Sequence, residues 1–428
     1  MTFKEINRWL HLWLGLMSGV IVFIVCITGC IWVFNEEITG LLEPRTRIEW
    51  QNKTVLTPAQ LYALARKQYP ELKVSYANYQ QGRTINIGLG ERGKSGAIMQ
   101  VDPYSGEIIN ARERDRGNFD FFRFILNGHR ALWMPYEIGH ILVNYGTLIF
   151  VVLLITGLIW WWPKRWNKNT REKSFKIKWG ASFKRVNLDL HNVLGFYALL
   201  FLLVIALTGM VWGLEWYSKG LYWVTTGGKS LTERSKLLSD SLEVNKYYKP
   251  EQAIDLAFKK VIKLHPGAQG FYYTFPDTSK PRSIINVIVY PDKGQFYNSQ
   301  SYKFDQHTLK ELKSEDVYGM SYNKAAFGDK LRKMNYDLHV GSILGFPGKV
   351  LAFLASFIGA SLPLTGFLIW WGRKFGKNKN PSNRNYRKAS VPSVAKNKRF
   401  VSGRSMPKKN QEREAVLQSV SVSLKREN

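Results

Sequence analysis

The strongest constraint on this chain is a set of four long apolar runs, at residues 11–34, 138–162, 191–213 and 342–371. The first two contain no charged residue, and the fourth has one lysine near its start. A membrane-spanning helix needs about 20 apolar residues at about 1.5 Å per residue, and all four runs are long enough. Buried helices of soluble proteins rarely stay apolar on every face, so the runs predict four transmembrane helices.

The distribution of charge predicts the orientation of these helices. The chain carries 61 Lys+Arg and 32 Asp+Glu, a net charge of +29 over 428 residues. The first ten residues, the link 163–190 and the tail 372–428 together hold 27 of the basic residues and 6 of the acidic ones. By the positive-inside rule, both termini and this link face the cytoplasm, and the two longer polar segments face the opposite side. The excess charge therefore needs no nucleic-acid partner.

The chain contains an internal duplication. An Asn-x-x-Leu-His-x-x-Leu-Gly motif begins at Asn7 and recurs at Asn187, and the Thr-Gly step at Thr28 recurs at Thr208, each 180 residues later. A second motif, Thr-Gly followed by apolar residues and paired tryptophans, occurs at Thr156 and Thr365. Two copies with the same orientation are related by a pseudo-two-fold axis along the membrane normal, so equivalent residues lie at equal depth.

The two outer segments show the same order of helix, strands and turn. A Thr-Pro-Ala-Gln-Leu start at Thr57 predicts a helix, and alternating strands follow around residues 84–88 and 97–101. The second segment starts a helix at Lys249 and includes a strand at 283–290. We therefore expect an α-helical membrane bundle of four helices in two parallel repeats, with two outer α+β domains.

The predicted segments follow from these boundaries. They are the N-terminus with helix 1 (1–34), the first outer domain (35–137), helix 2 (138–162), a basic cytoplasmic loop (163–190), helix 3 (191–213), the second outer domain (214–341), helix 4 (342–371) and a disordered basic tail (372–428). The tail, with few aromatic residues, is interpreted as a topology anchor or as a segment resting on anionic lipid headgroups.

Over residues 1–375 these motifs resemble the PepSY-associated transmembrane family. The similarity lies in the Leu-His-x-x-Leu-Gly helix starts, the Thr-Gly helix ends and the Asp-Pro-x-Ser-Gly-Glu turn at Asp102, which is typical of PepSY domains. The resemblance implies an inner-membrane protein with periplasmic PepSY-like domains. It also implies iron uptake, since some members resemble ferric-siderophore reductases that hold haem between their helices. No flavin domain is present in this sequence, so the implied electron donor is a separate cytoplasmic reductase or quinol.

Histidines carry the predicted chemistry. His11 and His191 occupy equivalent positions at the cytoplasmic ends of helices 1 and 3, so the duplication places them at one depth. An ionisable residue inside a membrane span indicates function, and imidazole in a bundle core is a common haem ligand. His129 and His339, which precede Thr156 and Thr365 by 27 and 26 residues, form the second predicted pair.

The second pair has an open alternative, because His140 could replace His129 as the ligand. The prediction is thus two haems, one near each membrane face, with His11, His191, His129 and His339 on the iron. They would be b-type, since the sequence lacks a Cys-x-x-Cys-His motif. His265 and His307, in the outer segments, are expected to be solvated.

Other residues near these sites have simpler interpretations. Cys26 and Cys30, four residues apart on helix 1, are expected to pack as small apolar side chains. The glycines of the repeated motifs allow either close helix packing or clearance for a flat ring. Three cations could pair with haem propionates: Arg130, Lys349 and Arg332.

Three functions compete at this point. The first is a haem electron carrier that reduces an extracytoplasmic acceptor, for which the resemblance implies a ferric siderophore. The second is a non-catalytic membrane protein whose PepSY-like domains bind a peptidase, cell-wall or iron-uptake partner. The third, a transporter of iron chelates, is the weakest because the spans lack charges at the bilayer midplane.

Overall fold

The computed structural model describes residues 1–91, 95–113, 119–232, 237–242, 248–277, 279–314 and 316–375. Residues Met1–Phe375 form one unit of the chain, and Gly376–Asn428 are assigned to a second. Beyond residue 375, the predicted disordered tail lies outside the described residues.

Helices account for the membrane-embedded part and for much of the rest. They are α1 (Phe3–Trp32), α2 (Asn35–Leu42), α3 (Pro58–Gln68), α4 (Phe121–Ala131), α5 (Tyr136–Trp161), α6 (Lys168–Phe175), α7 (Phe183–Asp189), α8 (Gly195–Gly213), α9 (Glu215–Thr225), α10 (Pro250–Leu264), α11 (Phe327–Val340) and α12 (Gly345–Lys374). A π-helical turn, Leu190–Leu194, joins α7 to α8 without a break.

Four helical segments are long and apolar enough to cross a membrane, which confirms the prediction of four spans. They are Phe3–Trp32, Tyr136–Trp161, Phe183–Gly213 and Ser342–Lys374. The first begins eight residues before its apolar run, because Thr2 and Glu5 form a capping box that starts the helix on polar residues. Helical structure therefore continues past the apolar stretch at this end of the bundle.

The four spans pack around one apolar core. α1 lies against α5 and α12, and α8 lies against the same two helices. The buried side chains of this core include Val22 from α1, Phe150 and Leu154 from α5, Leu202 from α8 and Ala355 from α12. All four spans therefore contribute to one interior, which is the environment of the histidines described below.

A single seven-stranded antiparallel sheet carries strands from both outer segments. Its strands are β1 (Val74–Gln80), β2 (Ile85–Gly90), β3 (Gly96–Val101), β4 (Ile108–Glu113), β5 (Gly270–Thr274), β6 (Ile284–Tyr290) and β7 (Gln300–Asp305). Their order is β4-β3-β2-β1-β5-β6-β7. The two segments meet where β1 pairs with β5, with Ala77 opposite Tyr273. The expected α+β structure is present, and its two parts share one sheet.

Helices α3 and α10 cover one face of this sheet. α3 starts as its sequence predicts, with a Thr57–Gln60 capping box and Pro58 in its first turn. The alternating residues of the strands point to these helices and form the core of the sheet: Ala77, Ile85, Ile87, Met99, Tyr273, Ile285, Val287 and Phe304 are all at most 1% exposed. The alternation along the strand sequences is thus also the alternation of buried side chains in the sheet.

Two short helices connect the sheet to the bundle and position the second histidine pair. α4 precedes α5, and α11 precedes α12. The corner between α4 and α5 is tight, since a Cβ on Gly139 would overlap the carbonyl of Ala131. The corner after α11 turns at Gly341, whose φ of 81° is a left-handed conformation that favours glycine.

Candidate functional site

Two pairs of histidines face each other at opposite ends of the bundle. We call the end where α1 begins and α12 finishes the basic end, and the other the sheet end. At the basic end, the rings of His11 on α1 and His191 in the π-helical turn have centroids 6.4 Å apart. At the sheet end, His129 on α4 and His339 on α11 have centroids 6.1 Å apart. The structure thus brings together both pairs that the sequence predicts.

The two pairs lie far apart along the membrane normal. α1 carries His11 near its start and packs against His129 at Gly29, 18 residues later. This separation is about 27 Å along a straight helix, which is close to the hydrocarbon thickness of about 30 Å. Each pair therefore lies near one end of the spans.

Threonines hold the basic-end pair. Nδ1 of His11 lies 2.9 Å from Oγ1 of Thr156, and Nδ1 of His191 lies 2.9 Å from Oγ1 of Thr365. Each threonine hydroxyl donates its own proton to a carbonyl one turn earlier in its helix. Its oxygen is therefore the acceptor, and Nδ1 of each histidine is the donor.

Backbone carbonyls hold the sheet-end pair in the same way. Nδ1 of His129 donates to the carbonyl of Val25, and Nδ1 of His339 donates to the carbonyl of Ile205, both at 2.9 Å. A carbonyl can only accept, so this bond assigns the proton to Nδ1. In all four histidines Nε2 keeps its lone pair, and no hydrogen bond within the described residues engages it. This is the arrangement of a histidine that ligates a metal through Nε2.

Burial also keeps the sheet-end rings neutral. It lowers the pKa of His129, and it lowers the pKa of His339 to about 4, with the neighbouring His129 adding to the effect. A neutral imidazole is the form that binds metals.

Three of the paired histidines are preceded, one helical turn earlier, by an asparagine. Each of these asparagines bonds to the helix that contacts the histidine ring. Nδ2 of Asn7 donates to the carbonyl of Thr156 at 3.0 Å, and Nδ2 of Asn187 donates to that of Thr365 at 3.1 Å. At the sheet end, Nδ2 of Asn335 donates to the carbonyl of Thr208 at 3.2 Å. Each asparagine locks its helix in register against the helix that holds the neighbouring ring.

Four glycines make room for the four rings, and each directly follows a threonine. A Cβ added to Gly157 or Gly366 would lie 3.1 or 3.3 Å from Cε1 of His11 or His191. Gly29 and Gly209 are placed likewise against His129 and His339, at 3.3 and 3.1 Å. The sequence left the purpose of these glycines open, and the structure shows that they accommodate imidazole rings.

The spacing within each pair fits one metal between two imidazoles. A metal–nitrogen bond to histidine is about 2 Å, and the ring centre lies about 1 Å further, so two opposed ligands have centroids about 6 Å apart. The observed 6.4 and 6.1 Å match this value. Each pair would supply two imidazole ligands to the iron of a haem.

A large cavity surrounds the basic-end pair. It has a volume of about 990 Å³, at the upper end of the about 300–1,000 Å³ of ligand pockets, and both His11 and His191 line it. Apolar side chains form most of its wall, among them Leu16, Val22, Phe150, Leu153, Leu199 and Leu362. The cavity has the size and polarity of a site for a large, flat, apolar group.

The remaining histidines lie elsewhere. His140 stands near the start of α5 against Tyr136, with ring centroids 4.9 Å apart, whereas His129 occupies the position opposite His339. Nε2 of His265 lies 2.7 Å from the hydroxyl of Tyr302. His307 is only 7% exposed, with Nε2 2.8 Å from the carbonyl of Pro281. The expectation that His307 is solvated is therefore wrong, because its ring, in the turn after β7, packs against the segment at Pro281.

The cations proposed as propionate partners already have other contacts. Arg130 donates to the hydroxyl of Tyr136. Lys349 pairs with Glu37 at 2.8 Å. Arg332 donates to Oγ of Ser218 beside a smaller cavity of about 250 Å³ between α8, α9 and α11.

The two cysteines pack as expected. Sγ of Cys30 contacts the carbonyl of Phe353 at 3.5 Å, and Sγ of Cys26 lies beside Gly359, so both face α12. Among the residues that the structure describes, no group of three or more His, Cys, Asp or Glu side chains could hold a bare metal ion.

Sequence reasoning found the histidines but not the groups that orient them. The sequence contains these threonines and asparagines in or beside the repeated motifs, but the motifs alone do not assign a role to them. The signal that could have found them is the spacing: Asn precedes His by four residues at His11, His191 and His339.

Comparison with known families gives one match. The model of a family described as the PepSY-associated TM region matches residues 8–373, which include the sheet and all four spans apart from the first residues of α1 and the last residue of α12. No curated protein matches the chain.

Proposed function

The chain belongs to the PepSY-associated TM region family, as its motifs suggested, and from this premise we propose that it is a b-type haem electron-transfer protein of the membrane. The observation that carries the proposal is the pair of opposed imidazoles at each end of the bundle, 6.4 and 6.1 Å apart, with every Nδ1 engaged. The proposed ligands are His11 and His191 for one haem, and His129 and His339 for the other.

Bound haem would supply a one-electron redox couple at each end of the bundle. Ligation by two histidines would suit electron transfer and disfavour oxygen chemistry. The protein's part is to orient the rings through Thr156, Thr365 and the carbonyls of Val25 and Ile205. These bonds keep the proton on Nδ1 and raise the basicity of Nε2.

The proposed direction of transfer follows from the charge. The link 163–190 and the start of α1 lie at the basic end, which is cytoplasmic under the positive-inside rule. The sheet, as two PepSY-like halves related by the duplication, would then lie in the periplasm of a bacterium, with the inner membrane between. The proposed donor is a cytoplasmic reductase or quinol, and the proposed acceptor is a ferric siderophore in iron uptake.

The orientation can be tested with single cysteines. Gly180, in the basic link, and Gly267, beside the sheet, each have nothing within 4 Å of an added Cβ. In a chain with Cys26 and Cys30 changed to alanine, Gly267→Cys should react with an impermeant maleimide added outside the inner membrane, and Gly180→Cys should not. The reverse pattern would contradict the orientation.

The decisive experiment for the function is spectroscopic. Protein expressed with ample haem and purified in detergent should show a Soret band that shifts on dithionite reduction, with about two haems per chain. His11→Ala or His191→Ala should each remove about half of the haem, and Ala substitutions at His129 or His339 the other half.

The haem measurement has a control variant at His265. Substitution of His265, which bonds Tyr302 in the sheet region, should leave the haem content unchanged. A colourless protein would remove the redox assignment and favour the alternative, a non-catalytic membrane protein whose sheet domain binds a peptidase, cell-wall or iron-uptake partner.

A further inference from the structure

Four cations surround the mouth of the basic-end cavity. Arg8 comes from the first turns of α1, Lys173 from α6, and Arg373 and Lys374 from the last turn of α12. All four are exposed. The acid at this mouth is Glu5, which is engaged in capping the amide of Thr2. Like charges gathered at one opening repel each other, so the arrangement favours an anionic group there.

Two of these cations are tied to the histidine site itself. Arg8 precedes His11 by three residues and therefore lies on the same face of α1. Arg373 lies over the ring of Trp160, 5.9 Å from its centroid, and Trp160 packs edge-on against His11 with centroids 5.8 Å apart. Arg8 thus lies one turn from His11 along α1, and Arg373 is connected to the same histidine through Trp160. Lys374, by contrast, lies over Trp370 and Phe375.

The cations at the two ends of the bundle differ in whether they have hydrogen-bond or ion-pair partners. Arg130, Lys349 and Arg332 at the sheet end have hydrogen-bond or ion-pair partners. In the part of the chain that the structure describes, no ion pair or hydrogen bond engages the guanidinium of Arg8 or Arg373. These two groups are free to bind a carboxylate.

We propose that Arg8 and Arg373 bind the two carboxylates of the porphyrin in the basic-end cavity and so set the orientation in which it enters. The assignment rests on the proposed function. An apolar cavity with opposed imidazoles inside and arginines at its mouth matches a flat ring with a metal at its centre and carboxylates on one edge. Arginine suits this role because its planar fork binds carboxylates bidentately.

The test compares two ligands that differ only in those carboxylates. Wild type and variants at Arg8 and Arg373 are all compared in a His129→Ala background, which leaves the basic-end site as the proposed haem site. Each apo protein is titrated in a neutral detergent with haem b and with haem dimethyl ester, followed by the Soret band. The ester keeps the ring and the iron but has no negative charge. Wild-type protein should bind haem b more tightly than the ester. Because an exposed ion pair contributes up to about 1 kcal/mol, Arg8→Gln and Arg373→Gln should each weaken haem b binding by up to about fivefold.

The ester also reports whether a variant is intact. Both variants should bind the ester as the wild type does, and the double variant should lose most of the preference for haem b. Lys67→Gln, which removes an exposed cation of α3 outside both histidine pairs, is the matched control and should change neither affinity.

The outcomes separate the two proposals. Equal affinity for both ligands in the wild type, or a preference that survives in the double variant, would overturn the assignment of Arg8 and Arg373 and leave the haem function standing. Failure of the wild type to bind either ligand would overturn the haem function, and the assignment with it.

Discussion

The imidazole of His11 occupies space that a glycine leaves free on the neighbouring helix. The same step, threonine followed by glycine, receives each of the four paired histidines: the threonine oxygen lies within 3.3 Å of Nδ1, and the glycine lies against Cε1. This step positions all four rings, and at the sheet end the carbonyls of Val25 and Ile205 also hold Nδ1.

Gly157→Ala should therefore displace His11. Its Cβ would lie 3.1 Å from Cε1, closer than ordinary contact allows, and the ring is already held by Thr156. We expect loss of about half of the bound haem with the fold retained, measured by the haem-to-protein ratio. Gly372→Ala on α12 is the control, because it does not line the cavity and its Cβ would meet Lys184 at an ordinary 3.9 Å. Equal haem loss in both variants would contradict this role of Gly157.

Lys333 is a second residue whose surroundings determine a property, in this case its pKa. It lies buried on α11, the helix of His339, and its ammonium donates to the carbonyls of Ser299 and Met320 at 3.0 and 2.8 Å. Burial lowers its pKa from 10.5 to about 8, although Asp316 and Asp329 oppose the shift. The lysine thus anchors α11 to the loops around β7 while its charge is held at a cost in free energy.

This pKa predicts a pH dependence of stability. Between about pH 8 and 10.5 the unfolded chain holds more protons at this position than the folded chain, so the contribution of Lys333 to stability rises with pH. The melting temperature of the wild type minus that of Lys333→Met should therefore rise from pH 8 to 10 and stay constant below pH 8. Thermal unfolding in detergent at several pH values measures it, and a constant difference across this range would contradict the shifted pKa.

At the scale of elements, the corners before α5 and α12 decide where the sheet-end histidines lie. After α4 the chain turns through Leu132 and Trp133, both with left-handed φ, and α5 approaches so closely that Gly139 touches Ala131. Trp133 packs on Gly128, the neighbour of His129. The position of His129 thus depends on a corner with little spare room.

Gly139→Ala should open this corner. A Cβ there overlaps a backbone carbonyl that no side-chain rotation can move, so we expect a loss of about 2–3 kcal/mol in stability and less haem at the sheet end. Gly220→Ala, inside α9 with nothing within 4 Å, is the opposite case and should gain about 0.5–1 kcal/mol. Thermal unfolding and the Soret absorbance of the two variants test the contrast. A Gly139→Ala protein as stable as the wild type would show that the corner tolerates expansion.

At the scale of the whole molecule, the pairing of β1 with β5 makes one sheet of two sequence segments. The helices α3 and α10 also contact each other across this junction. Residues of both segments therefore share one hydrophobic core, and we expect them to unfold together.

Val287→Asp tests this cooperativity. Val287, on β6, is fully buried, and a carboxylate there should destabilise the second segment by several kcal/mol. If the sheet is one unit, limited proteolysis should also cut the first segment, between residues 35 and 137. Asn286→Asp, one residue away on the opposite face of the same strand, keeps an acceptor for Ser301 and should leave both segments resistant. Cleavage confined to the second segment would show two independent halves.

The sequence alone determined the four spans of this protein and the pairing of His11 with His191. A long apolar run is stable across a bilayer as an α-helix, because every backbone polar group then bonds within its own helix. The 180-residue repeat likewise predicted that His11 and His191 would pair, since equivalent positions share a depth. Local signals sufficed here because helix formation and membrane burial depend on residues near each other in the chain.

Only the tertiary structure decided the rest. It selected His129 over His140 as the ring opposite His339, joined two strand groups into one sheet, and gave His307 a buried position. It also assigned the Thr-Gly steps to the rings. Each of these depends on the contact of surfaces from distant parts of the chain. Periodicity predicts which face of an element is buried, but the partner it meets is set by the shape of the whole fold.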